Sequence, residues 1–192
     1  MQNFQFDILK RGAPILVAKL PKPIVKEIDV WASECKKTKN HPLSYLKAHE
    51  NVGYDPDRNK KYNTYQCPIP VNLIEDSYWL AYTVRLCAHV FGGNHRNYFL
   101  RKRIGHFDGY DIWANFAYKG NENPPHTHAG DLSGVIYHKN HKHPTHFSDY
   151  DTKYKGNNGT MILFPSNVKH YVKLQNSEEE RITFAFNIGR LQ

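Results

Sequence analysis

Seven of the twelve histidines in this chain fall between positions 126 and 170. Two of them, His126 and His128, sit one residue apart in "PPHTHAGDLSGVIYH", residues 124–138, after two prolines and before an apolar run. In an extended segment, side chains two residues apart point to the same face. Both imidazoles can then reach one ion, and imidazole nitrogen suits a transition metal. Two ligands leave a site incomplete, so a third must come from elsewhere. His170 in "ILFPSNVKHYV" is the candidate, just past an apolar strand and a turn at Pro165-Ser166. On spacing alone the pair has a second reading, as polar residues decorating a loop.

Other residue types could complete such a site. Arg181 opens the alternating run "RITFAFN", which puts Arg181 and Thr183 on one face. If that face lines a barrel, the guanidinium needs an anion, and its planar fork fits a carboxylate. The other reading is a strand-end arginine reaching solvent. Trp113 and Asn115 share a face in "DGYDIWANFAYKG", and Trp113 is equally suited to a core. Asp131 lies close to the histidine pair but beyond a glycine that marks a turn. His138, His141, His143 and His146, in "YHKNHKHPTHF", read as solvated loop residues, with a second metal site as the sharper alternative.

The elements that must position these residues change character along the chain. "APILVAKL" reads as a short strand. "KPIVKEIDVWASECKK" places Ile24, Val25, Ile28 and Trp31 at helical spacing, and "PVNLIEDSYWLAYTVRLCAHVFGG" places Ile74, Tyr78, Tyr82 and Leu86 four apart before a glycine stop. Residues 40 to 67 read as a long polar loop. From residue 106 the period becomes two. "DGYDIWANFAYKG", "LSGVIYH", "THFSDY", "GTMILFP", "HYVKL" and "RITFAFNIG" are six or seven short strands with no helix between them, as in an antiparallel sandwich or barrel. The expectation is one domain, mainly β: residues 1–105 a mixed helix and strand support, residues 106–192 the β core.

Composition narrows the class. Aromatics make up 14% of the 192 residues, with 13 Tyr and 10 Phe, which favours a packed core over disorder. The formal charge of +8, from 26 basic and 18 acidic residues, is compatible with an acidic partner such as nucleic acid but reads first as a solvated basic face. Cys35, Cys67 and Cys87 are scattered and odd in number, so a disulfide framework is excluded and a reducing, cytoplasmic compartment is expected. No apolar run is long enough to span a membrane, and the first residues lack a signal-peptide core.

Taken in order, the motifs resemble a known family. "HTH", "SGVIY", "ILFPSNVKHYV" and "RITFAFN" are similar to the H-x-H, S-G-V-x-Y, F-P-x-x-x-x-H and R-x-S/T-x-x-F-N segments of a subfamily of Fe(II)- and 2-oxoglutarate-dependent oxygenases, prolyl-hydroxylase-like proteins found in bacteria and in phages. "DIWANFAYKGNENPPHTH" matches its W-x-N and K-G segments, so the resemblance covers about residues 111 to 189. It implies a double-stranded β-helix, a cupin-like jelly roll. It implies Fe(II) held by His126, His128 and His170, with His128 standing where most relatives have Asp or Glu, and Asp131 as the rival ligand. It implies 2-oxoglutarate as cosubstrate, bound through Arg181, Thr183 and Tyr137, with Asn115 and Trp113 facing cosubstrate or substrate.

The activity so implied is hydroxylation, with 2-oxoglutarate and O2 converted to succinate and CO2. The primary substrate, whether protein side chain, nucleobase or small molecule, would be chosen by the segments 40–67 and 139–145. Two other classes compete: a three-histidine cupin-type iron dioxygenase that does not use 2-oxoglutarate, and a non-catalytic β-sandwich binding module.

Overall fold

Alternating sequence becomes antiparallel sheet in this protein. A computed structural model describes residues 4–38, 65–103 and 109–191. In chain order the elements are β1 (Gln5–Ile8), β2 (Leu16–Lys19), α1 (Lys22–Thr38), β3 (Tyr65–Pro68), α2 (Tyr78–Phe91), β4 (Tyr98–Leu100), β5 (Lys102–Arg103), β6 (Gly109–Tyr110), β7 (Ile112–Ala117), β8 (Asn123–His126), β9 (Leu132–His138), β10 (Thr145–Phe147), β11 (Thr152–Tyr154), β12 (Thr160–Pro165), β13 (His170–Val172) and β14 (Arg181–Arg190). The loop expected over residues 40–67 lies mostly outside the described residues, and its end is strand β3 rather than loop.

Two sheets face each other. The large one runs β1-β2-β12-β9-β14-β7-β3, with β4 pairing the far end of β14. The small one runs β11-β10-β13-β8. All pairings are antiparallel. The first half of the chain thus supplies four strands to the large sheet besides its helices. Along β14, Ile182, Phe184, Phe186 and Ile188 belong to the core shared with the helices, while Arg181, Thr183, Ala185 and Asn187 alternate onto the opposite face. On that opposite face Val135, Tyr137, Ile162 and Phe164 of the large sheet pack with Phe147 of the small one, filling the space between the sheets.

The helices cover the outer face. Trp31 of α1 meets Trp79 of α2 edge-on at 5.4 Å, and these rings abut Phe184 at 5.8 Å and Phe186 at 4.9 Å. Each fully buried aromatic of this kind contributes roughly 2–3 kcal/mol of burial. Ser77 caps α2 by accepting from the Leu80 amide at 3.1 Å, and Glu27 of α1 accepts from the amides of Tyr78 and Trp79. A carboxylate at a helix N-terminus both satisfies open amides and opposes the helix dipole. This cap corrects one member of the expected core face of α2. The helix begins at Tyr78, which is 71% exposed, and Ile74, though buried, precedes it. The buried stripe is Trp79, Tyr82, Thr83, Leu86 and Cys87, so Tyr82 and Leu86 lie on the expected face.

Gly134 of β9 lies opposite Phe186 of β14, and a Cβ there would overlap the Phe186 ring. That ring is held against Trp79, so it cannot step aside cheaply. Gly134→Ala is expected to cost about 1–3 kcal/mol of stability, the usual range for overpacking, as read from urea denaturation midpoints. An unchanged midpoint would mean that the sheet–helix interface is looser than this packing.

Candidate metal centre

His126 ends β8 and His170 begins β13, and the two are direct cross-strand partners. Their ring centroids are 4.3 Å apart. His128 follows two residues later, its ring 4.9 Å from His126 and 5.1 Å from His170. One nitrogen from each imidazole lies within 4.8 Å of the others, and this is the one such group of three among the described residues. Ser166 fixes the loop that carries His128: its carbonyl accepts from the His128 amide at 2.9 Å, and its own amide donates to the Asp131 carbonyl at 3.1 Å. The Ser166 hydroxyl bonds Ser133 at 2.9 Å, and Ser133 donates to Asn187 at 2.7 Å, so the loop is tied to the large sheet.

The tautomers suit metal ligation. His126 Nδ1 lies 2.7 Å from the Pro124 carbonyl and His170 Nδ1 lies 3.1 Å from the Val168 carbonyl. A carbonyl only accepts, so each Nδ1 carries the proton and each Nε2 presents a bare lone pair, as a ligating histidine requires. Burial, with His126 beside it, pulls His170 down to about 3, so it stays neutral near pH 7. Phe164 packs edge-on against the His170 ring at 4.7 Å, keeping water from that side. Asp131 is exposed and its carboxylate accepts from the Arg190 amide at 2.8 Å. The rival carboxylate is thereby engaged by the backbone of β14.

The large sheet places the other candidates in rows. Tyr137, Thr183 and Asn115 are cross-strand neighbours on β9, β14 and β7. Trp113 is two residues before Asn115, donates to its side-chain oxygen at 3.1 Å, and stands 5.7 Å from the His128 ring. Arg181 is two residues before Thr183, at the other end of the row. It is 7% exposed and bonds the hydroxyls of Thr183 at 3.3 Å and Thr145 at 3.2 Å, with its guanidinium 5.8 Å from the Tyr137 ring centroid. Its Nε is buried without a partner, and no carboxylate pairs with it among the described residues. Burial lowers its pKa, opposed by Tyr137, but a guanidinium keeps its charge. Burial likewise pushes the Tyr137 hydroxyl up to about 12, so it stays protonated. A buried cation facing three hydroxyls, with no carboxylate beside it among the described residues, has the chemistry to accept one.

Two residues of this end escape the motif pattern. Thr145 of β10 accepts from both Tyr137 at 2.7 Å and Arg181. The signal was present, since "THF" alternates and turns Thr145 inward with Phe147. The second is His141. It and His138 correct the expectation of solvated loop histidines, being 4% and 8% exposed. His138 ends β9 and bonds Asp29 of α1 at 3.0 Å, and the loop after it folds back so that the His141 amide donates to the Gly156 carbonyl at 3.0 Å. His143 and His146 are half-buried, and His146 stacks on Tyr171 at 4.8 Å.

Thr145→Val keeps the shape and removes the shared hydroxyl, leaving two buried donors short of an acceptor. It is expected to cost about 1–3 kcal/mol in urea denaturation of the ligand-free protein. A second expectation concerns acid. Burial and the Arg181 charge hold His141 at about 3. The unfolded chain takes up a proton near pH 6.5 that the native state refuses. Stability from this group is therefore full above that pH and drains as pH falls toward 3. Urea midpoints at pH 7, 6 and 5 should show a loss of up to about 1.4 kcal/mol per pH unit from His141, and His141→Gln should flatten that component.

Comparison with known proteins gives the arrangement its relatives. A family model described as "Putative 2OG-Fe(II) oxygenase" matches residues 138–187, a stretch that contains His170, Arg181 and Thr183 and stops short of His126 and His128. Comparison with curated protein sequences gives no match. Among solved structures, the viral collagen prolyl hydroxylase of Paramecium bursaria Chlorella virus-1, in complex with 2-oxoglutarate, is similar at a TM-score of 0.59 and 14% identity, over 94% of this chain and 98% of that one. HygX of Streptomyces hygroscopicus, with nickel and 2-oxoglutarate bound, is similar at 0.59 and 10%, over 94% and 84%. A prolyl-4-hydroxylase of Pseudomonas putida is similar at 0.57 and 16%, over 95% of each chain. The two facing antiparallel sheets are the double-stranded β-helix of these proteins. The chain thus resembles the 2-oxoglutarate- and Fe(II)-dependent oxygenases in fold, and resembles their family model in sequence over residues 138–187.

Proposed function

We propose that the protein is an Fe(II)- and 2-oxoglutarate-dependent oxygenase that hydroxylates a primary substrate. The observation that carries this is a buried guanidinium with no carboxylate partner among the described residues, on the same inner sheet face as a tryptophan that touches the histidine triad. His126, His128 and His170 hold the metal through Nε2 or its equivalent, with His128 in place of the commoner carboxylate. Iron and 2-oxoglutarate together supply the oxidising power that inserts one oxygen atom of O2 into a C–H bond while the cosubstrate becomes succinate and CO2. The chain's own residues do the placing. Arg181 binds the far carboxylate of the cosubstrate, Thr183, Thr145 and Tyr137 orient it by hydroxyl hydrogen bonds, and the row between them sets its direction toward the histidines. Trp113, held by Asn115, walls the metal and faces the substrate.

Two side observations support the setting. All three cysteines are buried, and their scattered, odd-numbered set supports a reducing cytoplasm. Among the described residues no helix is long and apolar enough to cross a membrane. Two of the similar structures are prolyl hydroxylases, which supports a hydroxylase; protein side chains, nucleobases and small molecules are the substrate classes to screen. Anaerobic titration of 2-oxoglutarate into the Fe(II)- or Mn(II)-loaded protein tests the reading. Saturable binding and Fe(II)-dependent succinate production are expected. Arg181→Ala should weaken binding by about 30-fold or more, the scale of losing a buried charged hydrogen-bond partner. His170→Ala should lose stoichiometric metal. Wild-type protein that neither binds 2-oxoglutarate nor releases succinate would overturn the proposal, and O2 uptake independent of 2-oxoglutarate would favour a three-histidine dioxygenase.

A further inference from the structure

The Arg181 end of the barrel gathers buried polar atoms that lack partners. His141 Nε2, His143 Nε2, Gln175 Oε1 and Arg181 Nε are all in this state, and the four residues line one pocket. His141 is central to it. Its ring stands 5.7 Å from the Tyr137 ring, its Nε2 has no partner, and the backbone carbonyls of Ile182 and His138 face the ring. Those carbonyls commit the proton to Nδ1, so Nε2 is a bare lone pair. A lone pair repels a carboxylate. It becomes a donor only when the ring takes a second proton.

The charges facing this ring decide when that happens. Arg181 approaches from β14, Tyr137 and His138 from β9, and His143 from the same loop. Glu179 and Glu180 border the pocket but are occupied. Glu179 pairs with Lys142 at 3.0 Å, while Glu180 pairs with Lys36 at 2.7 Å and accepts from Tyr118 at 2.5 Å. Without a ligand the balance at His141 is therefore positive, and the ring is neutral. A carboxylate on Arg181 cancels that charge and gives Nε2 something to donate to.

We propose that His141 is a proton-switched positioning residue, taking a proton from solvent at Nε2 as 2-oxoglutarate binds and adding an imidazolium donor beside Arg181. The inference rests on the oxygenase reading above. It makes cosubstrate affinity depend on pH through a residue remote from the metal ligands. Calorimetry of 2-oxoglutarate binding to the Mn(II)-loaded protein, in phosphate and in Tris at pH 7, counts the protons exchanged. Wild type is expected to take up about one proton more than His141→Gln, and its Kd to tighten up to about tenfold per pH unit as pH falls from 8 to 7. His141→Gln has an amide donor that does not titrate, so its Kd should lose that pH dependence. His141→Phe should bind more weakly at every pH. Manganese stoichiometry, unchanged in both variants, separates these effects from misfolding. Equal proton uptake in wild type and His141→Gln overturns the role of His141 and leaves the oxygenase reading standing. Absence of any binding by wild type overturns both.

Discussion

A positive charge buried without an anion is the constraint around which the barrel is organised. Arg181 cannot discard its proton, and removing one partner of a buried ion pair costs about 3–5 kcal/mol. The buried charge therefore needs compensation. It comes from the face of Tyr137 and from the hydroxyls of Thr145 and Thr183. Those groups need the inner face of β9 and β14 to stay in register, because a slip of one residue would turn Tyr137 and Thr183 outward and bring Phe184 in. Register is set in turn on the other face, where Phe184 and Phe186 lock against Trp31 and Trp79. The aromatic packing outside and the unpaired cation inside are two sides of the same strands.

Much of this was legible in the sequence where one segment carries its own pattern. Strand β14 alternates so plainly that Arg181 and Thr183 could be placed on one face in advance, while Tyr137, Trp113 and Asn115 were named through the family resemblance. The order of histidine pair, distal histidine and arginine was legible too. What was not legible depended on contacts between segments far apart in the chain. His141 sits among Lys139, Asn140 and Lys142, a composition that reads as solvent, and only the return of its loop onto Gly156 buries it. His138 owes its burial to α1, more than a hundred residues earlier. Tyr78 looked like core because the four-residue spacing fits it, whereas the cap formed by Ser77 and Glu27 starts the helix there and leaves Tyr78 in water. Asp131 was the rival ligand in the sequence, where nothing revealed that its carboxylate accepts from the Arg190 amide.

The small sheet shows how little regular structure is needed to hold a triad. Strands β8 and β13 are four and three residues long, and their pairing shifts register between His170 and Val172. The irregularity sits beside His170, where a β-bulge commonly re-aims a side chain. Ser166 then does for His128 what the ladder does for the other two: it fixes the backbone on both sides of the turn.

The two halves of the site hang from different sheets. The histidines belong to the edge of the small sheet, while the arginine, tyrosine and one threonine belong to the large one. A dicarboxylate that reaches from one set to the other is a strut across the sandwich, and it bears on the spacing of the sheets as well as on chemistry. Cosubstrate bound as proposed would then hold the two walls of the sandwich at a fixed distance.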